Sequence, residues 1–477
     1  MLLALVLVPL ILAAAAWAVP SGRVRPWIVP AAGVVNAALF VAVLRFGSGP
    51  EAGGWIVLDP LGKLVLGFVT MLYLFCSFYA PGYLSERAER PNRLFCTSML
   101  VFLGAMSLVV LSHHMGLMWV AIETTTLASA PLIYFNHNPR SLEATWKYLL
   151  IGSVGIALAL FGSFFIAYSA LHAGLQSTLL FDDLVREAPL LSRPWLHAAF
   201  VLLFVGYGTK MGLAPMHTWK PDAYGEAPGL VGALLAGGLT NCAFLALLRF
   251  YMIVNAGGGG AFARRMMVVT GLVSMAVAAV FVVRQKDYKR MLAYSSVEHM
   301  GILIIGIGIG GLGVFGSLMH LVNNGLTKGV LFLTAGNIHR AYASKVTDHV
   351  SGALRRLPVS AALFMAGFFA ITGSPPFGPF LSELTILNSA IGEGRYAVAA
   401  LFLLFLAVIF VGMGATVFAV CQGNPSEQAS ATTFRDSFKT CIAPAIFLAL
   451  ALVMGIWVPR PLADLMRAGA AYVEGRP

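Results

Sequence analysis

Charge is what this sequence has least of. Of its 477 residues only 11% are Asp, Glu, Lys or Arg, against 59% hydrophobic. A soluble domain carries about a quarter charged residues, so a water-soluble fold is excluded and the length-based count of soluble domains does not apply. Nucleotide signatures are also missing. There is no P-loop and no dinucleotide fingerprint after a strand, so this chain alone neither burns ATP nor carries electrons. The five cysteines, Cys76, Cys96, Cys242, Cys421 and Cys441, form no CxxC pair, which leaves zinc and iron–sulfur sites unsupported. They read as small buried hydrophobes. No cofactor and no metal are expected on this chain. The first segment, MLLALVLVPLILAAAAWAV, lacks a basic n-region and reads as a retained helix, not a cleaved signal.

The net charge of +11 does not point to nucleic acid. The basic residues form no single face or tail. They sit in short loops between apolar runs, where they set topology.

What fills the sequence is a series of apolar runs about twenty residues long, each enough to cross a bilayer. The pattern predicts an all-α polytopic membrane protein of about fourteen spans. They fall at 1–19, 27–46, 57–80, 94–112, 115–135, 147–171, 196–218, 229–253, 266–284, 293–310, 312–336, 357–391, 396–421 and 440–458. The link 172–195 is long enough for a short surface helix, 422–439 reads as a flexible loop, and PLADLMRAGAAYVEGRP reads as an interfacial helix. Counting alternate loops puts about eighteen basic residues on one side and about ten on the other, so the richer side, with RQKDYKR, Arg340, Lys345, Arg355 and Arg356, is expected to be cytoplasmic. Both termini then face the periplasm or exterior of a prokaryotic inner membrane.

Two spans are not clean helices. The seventh carries Lys210 and then Pro215, Pro221 and Pro228; the twelfth contains Gly373, Pro375, Pro376, Gly378 and Pro379. Irregular backbone at membrane depth persists only when buried in protein or lining a cavity. The two broken spans lie an odd number of spans apart and so run in opposite directions, the pattern of two inverted halves. Spans four to eight and nine to thirteen make those halves. The expected organisation is 1–90 (spans one to three), 91–255 (first repeat), 256–425 (second repeat) and 426–477 (span fourteen and tail).

A few ionisable residues remain inside the spans: Glu123, Lys210, His320, Lys328, Glu383, the Glu298–His299 pair and Lys63. Such residues face the bundle interior or a wet cavity and mark ion pathways, or else pair as helix-packing ions. His320 and Lys328 are eight apart with Asn324 midway, so all three share one helix face. A line of waters on such a face passes protons. A carboxylate beside Lys210 holds the ammonium charged, and moving it away lets the lysine release its proton, so Glu123 and Lys210 form a candidate switch with Glu383 as a distant acceptor. Glu298 and His299 read equally as a point of proton uptake or as a contact with a neighbouring subunit. His113 and His114 suit packing more than metal binding, Glu143 and Lys147 an ordinary helix pair, and Lys63 an ion pair with Asp59.

Several strings carry a likeness. They are WVAIETTTLAS, GYGTKMGLAPMHTWKPDAYGEAP, QKDYKRMLAYSSVEHMG, HLVNNGLTKGVLFLTAGN and GSPPFGPFLSELTIL. From about residue 90 to 420 the chain resembles the antiporter-like membrane subunits of respiratory complex I and the Mrp cation/proton antiporters. SLEATWKYLLIGSVGIALALFG and AYSSVEHMG make it most similar to component F of group 4 membrane-bound hydrogenases and formate hydrogenlyases. The resemblance implies two inverted five-helix repeats and proton translocation coupled to redox chemistry in partner subunits. It implies path residues at Glu123, Lys210, His320, Lys328 and Glu383. Two positions depart from it: Asn241 stands where relatives offer a mid-membrane lysine or histidine, and Asn324 where some offer a second histidine. Neither can carry a proton as a charge, but both are able to hold water. Tyr224 replaces the histidine of the family's PDAH pattern, with Lys220 ahead of Pro221.

The implied partners are other antiporter-like and small membrane subunits and a cytoplasmic redox arm with iron–sulfur clusters and a nickel–iron or other redox centre. The lipid bilayer surrounds the chain, and nucleic acid has no part. The chain has no catalytic centre of its own and reads as a subunit of a hydrogenase-4-like or NADH dehydrogenase-like oxidoreductase. Rival readings are an Mrp-like sodium/proton antiporter, with Thr372, Ser374 and Ser382 as oxygen ligands; a non-conducting anchor for the redox arm; and a membrane partner in inorganic-carbon uptake.

Overall fold

Helix starts are set by local chemistry. Asn138 accepts from the Ser141 amide at 2.7 Å while the Ser141 hydroxyl accepts from the Asn138 amide at 3.0 Å, and Pro139 occupies the first helical position. This capping box starts the sixth span at Pro139 instead of 147, so the helix Pro139–His172 is 34 residues long. Asp287 caps the tenth helix, Tyr288–Ile309, by accepting from the amides of Lys289 and Arg290 at 2.9 and 3.0 Å.

The computed structural model describes residues 1–176, 178–427 and 432–475. Among these the chain is helical, with isolated bridges in place of strands. Nine helices among the described residues are long and apolar enough to cross a membrane. One, Gly229–Val282, has 54 residues. At 1.5 Å each that is about 80 Å, far beyond a hydrocarbon core of about 30 Å. It bends at Gly258, whose φ is 79°. Leu2–Ala18 and Pro358–Ile371 are apolar but shorter. The eleventh helix, Leu312–Tyr342, is 31 residues long and buries His320, Asn323, Asn324 and Lys328, which keep its hydropathy down.

Both irregular spans are interrupted. Arg193–Met211 stops at Gly212, whose φ is +77°, and the chain resumes helix at Trp219–Glu226, with Pro215 in the intervening loop. Pro358–Ile371 stops at Thr372, passes Gly373 at φ +67°, Pro375 and Pro376, and resumes at Gly378–Gly392. Asn323 of the eleventh helix donates to the Gly378 carbonyl at 2.8 Å and so holds the start of the second segment.

The tenth helix is buried along its whole apolar length. Apolar side chains such as Ile11, Leu127, Val280 and Val411 point outward, as lipid-facing residues do. Helices six and seven meet at glycines: a Cβ on Gly206 would lie 2.6 Å from the Gly155 carbonyl oxygen. That is the close backbone approach small residues permit in membranes.

The link after the sixth span holds a short helix, Phe181–Glu187. The tail forms the helix Arg460–Glu474, which buries Ala463, Met466, Gly469, Ala470 and Val473 against the bundle. Glu474 accepts from the Gly311 amide at 2.7 Å. The expected Lys63–Asp59 pair is not what forms. Asp59 is buried with Arg249 at 2.8 Å and His113 at 2.9 Å, because its place at the helix N-cap turns the carboxylate toward the eighth span and away from Lys63.

Candidate functional site

The fifth helix, Met115–Ile133, presents Glu123 at the edge of the bundle, partly exposed. One carboxylate oxygen accepts from Ser153 Oγ at 3.0 Å, the other from Thr126 Oγ1 at 3.2 Å. Thr126 in turn accepts from Lys210 Nζ. The carboxylate and the ammonium are therefore joined through a hydroxyl and not in direct contact. Lys210 is fully buried in the last turn before the break. Its Nζ lies 5.1 Å from the Tyr148 ring centroid, a cation–π contact that partly replaces water. Gly152 makes room for it: a Cβ there would lie 3.0 Å from Nζ.

Beyond the break stands a second buried ammonium. Lys220 donates to the Met211 carbonyl at 2.5 Å and lies 3.4 Å from the Ser296 carbonyl. An aromatic row joins the two lysines. Tyr148 packs on Trp219 with centroids 5.0 Å apart, Trp219 on Tyr224 at 5.9 Å, and Lys220 Nζ sits 5.7 Å from the Tyr224 ring. Lys220 and Lys328 meet neighbouring residues of the tenth helix, Ser296 and Ser295. Lys328 donates to Ser295 Oγ at 2.9 Å and to the Leu292 carbonyl at 3.2 Å.

From there the groups run on through the tenth, eleventh and twelfth helices. Glu298 lies 3.8 Å from His299. His299 Nδ1 and His320 Nε2 share a hydrogen bond of 2.9 Å, and His320 Nδ1 bonds Ser382 Oγ at 2.9 Å. Ligand atoms of His299, His320 and Glu383 all fall within 4.8 Å of one another. That proximity suits a bound cation as well as a shared proton. Both ring nitrogens of His320 are spent on hydrogen bonds, which favours the proton. Glu383 also faces a cleft of about 290 Å³ lined by Thr372, Gly373, Phe402 and Phe410.

Asn241 and Asn324 are fully buried, and neither amide finds a protein partner on either atom. His299 Nε2 and one oxygen of Glu383 likewise make no hydrogen bond. An unsatisfied buried polar group costs about 1–3 kcal/mol, and ordered water is the usual remedy. Asn324 lies midway between His320 and Lys328 on the eleventh helix, and His299 and Glu383 belong to the row itself.

The structure thus brings Lys210, His320, Lys328, Glu383, Glu298 and His299 into the interior, with Glu123 at the rim. Sequence reasoning missed Thr126, Tyr148 and Ser295, named Ser382 only as an oxygen ligand of the sodium reading, and left Lys220 outside the spans. Thr126 lies three residues after Glu123, on the same helix face, which is the signal that marks it.

The model of the family described as NADH:quinone oxidoreductase/Mrp antiporter, transmembrane, matches residues 112–410. The chain belongs to that family. It is 34% identical over 392 residues to the hydrogenase-4 component F homolog of Methylacidiphilum infernorum (isolate V4), covering 79% of this chain and 81% of that protein. Its fold is similar to a chain of the membrane-bound sulfane sulfur reductase, an archaeal respiratory membrane complex, with TM-score 0.89, 20% identity and 99% and 97% of the two chains covered. It is similar also to a chain of the Mrp complex from Dietzia sp. DQ12-45-1b, with TM-score 0.87, 20% identity and the same coverage.

Proposed function

We propose that this chain is the proton-translocating membrane subunit of a hydrogenase or complex I-like redox assembly. The observation that carries the reading is the row of titratable side chains from six helices, Glu123 to Lys210, Lys220, Lys328, Glu298–His299–His320 and Glu383, linked by hydroxyls, carbonyls and orphaned polar atoms. Buried charges of this density are costly in a membrane protein and serve pathways. A proton leaving one ammonium is accepted by the next group through water or a hydroxyl. The loss or arrival of charge at one site changes the field at its neighbour, so the row propagates a charge change laterally.

In this reading the chain crosses the membrane fourteen times as two inverted five-helix repeats, spans four to eight and nine to thirteen. Support comes from helix breaks at corresponding places in the two halves, Gly212–Thr218 and Thr372–Phe377. The basic loops face the cytoplasm of a prokaryotic inner membrane and both termini face outward. Redox centres belong to a cytoplasmic arm and are carried by partner subunits.

The second reading, an Mrp-like sodium/proton antiporter subunit, draws on the Mrp fold likeness. Proton movement in sealed vesicles containing the intact assembly separates the readings. Lys210→Ala and Glu123→Ala strongly reduce flux per assembled complex if the row conducts. Sodium-dependent flux favours the antiporter. Unchanged flux with poor assembly identifies an anchor and overturns the proposal.

A further inference from the structure

A second charged site lies away from the row, at the ends of the helices. The connection between the first two helices, the connection between the third and fourth, and the start of the fourteenth enclose a cavity of about 1120 Å³. Arg23, Arg25, Arg90, Arg93 and Lys439 line it, with Glu89 the one carboxylate. Glu89 is 60% exposed and stands 3.8 Å from Arg87 and 4.0 Å from Arg90, so it neutralises little of the charge. Among the described residues no ion pair engages Arg23, Arg25, Arg93 or Lys439. Arg25 is buried and spends its donors on the carbonyls of Ala16, Val19 and Pro20 and on Asn92, which fixes its charge in the wall. Converging, unpaired cations in one concavity repel one another and favour an anion.

The surroundings say which anion. Trp27 lines the cavity and is 58% exposed, Trp17 carries Arg93 at 5.6 Å, and Leu94 and Phe438, next to Arg93 and Lys439, are 50% and 78% exposed. Exposed tryptophans flanked by basic residues at helix ends mark the headgroup level of a bilayer. A free phosphate would satisfy the cations and leave the aromatic and apolar side chains bare; a phospholipid covers both. We propose that this cavity binds the phosphate headgroup of an anionic phospholipid, with the acyl chains along Leu94, Phe438 and the tryptophans. The site stands independently of the transport reading.

The test is lipid retention by the purified protein, read by native mass spectrometry and by thermal melting in nanodiscs. Nanodiscs of phosphatidylglycerol or cardiolipin are compared with phosphatidylcholine, and inorganic phosphate is added in a separate arm. The wild-type chain should hold anionic lipid selectively. At roughly fivefold in affinity per basic residue, Arg23→Ala/Arg93→Ala/Lys439→Ala should weaken retention about 100-fold. The charge-preserving set Arg23→Lys/Arg93→Lys/Lys439→Arg should retain most of it, and Arg265→Ala, a surface control, should change nothing. Equal retention by the triple alanine variant, equal stabilisation by inorganic phosphate, or no preference over phosphatidylcholine each overturns the proposal.

Discussion

The Thr126 hydroxyl stands between Glu123 and Lys210, accepting from the ammonium and donating to the carboxylate 3.2 Å away. A direct pair would hold its charge separation tightly. A hydroxyl link conveys the field and offers a proton path, yet breaks with one side-chain rotation. Thr126→Val, which keeps shape and removes the hydroxyl, is expected to cut proton flux by about tenfold, equivalent to about 1.4 kcal/mol in the barrier. Thr126→Ser is expected to stay near wild type. Flux measured in vesicles at equal complex content checks both.

Lys220 bonds the Met211 carbonyl, next to Lys210 in sequence, and reaches Ser296, the neighbour of the Ser295 that Lys328 bonds. Lys220→Met removes the ammonium and keeps most of the stem, and is expected to reduce flux about tenfold or more while leaving assembly intact. Lys220→Arg keeps the charge but releases its proton far less readily, so it should assemble and conduct poorly. Flux at wild-type level in both variants would remove Lys220 from the path.

The knot of Asp59, Arg249 and His113 is structural. Arg249 donates to Asp59 at 2.8 Å and to the carbonyls of Ser112 and Val110 at 2.5 and 2.8 Å. Removing one partner strands a buried charge, so Arg249→Leu is expected to cost about 3–5 kcal/mol. Asp59→Asn/Arg249→Leu should recover part of it. Melting temperatures of the two variants against wild type report the difference.

Asp182 sits on the surface helix beside the same knot. The His113 ring, 3.6 Å away, holds its carboxyl below the usual range. A depressed folded pKa adds stability that is present above the unfolded value near 3.8 and is lost as pH falls through the folded value. The side chain is 71% exposed, so water screens the effect. Asp182→Asn should melt slightly below wild type at neutral pH, and the two curves should converge once the pH falls below the folded value.

The sequence made the broken spans legible because Gly373, Pro375, Pro376 and Pro215 forbid continuous helix where hydropathy demands it. It made the interior ions legible because Lys210, His320 and Glu383 have no cheap place in hydrocarbon. Partnerships were less visible. Asp59 and Lys63 are four apart and look paired, but the N-cap geometry sends Asp59 to Arg249, 190 residues away, a contact only tertiary packing creates. Lys220 was placed in a polar loop by its prolines, whereas the helix Trp219–Glu226 folds back and buries it. The sixth helix began earlier than hydropathy suggested because Asn138 and Ser141 cap it before the apolar run starts.

The most direct measurement of the central claim is proton translocation by the intact assembly in sealed vesicles, comparing wild type with Lys210→Ala at matched redox turnover. The account predicts that protons moved per electron fall sharply in the variant. An unchanged proton-to-electron ratio in that variant would contradict it.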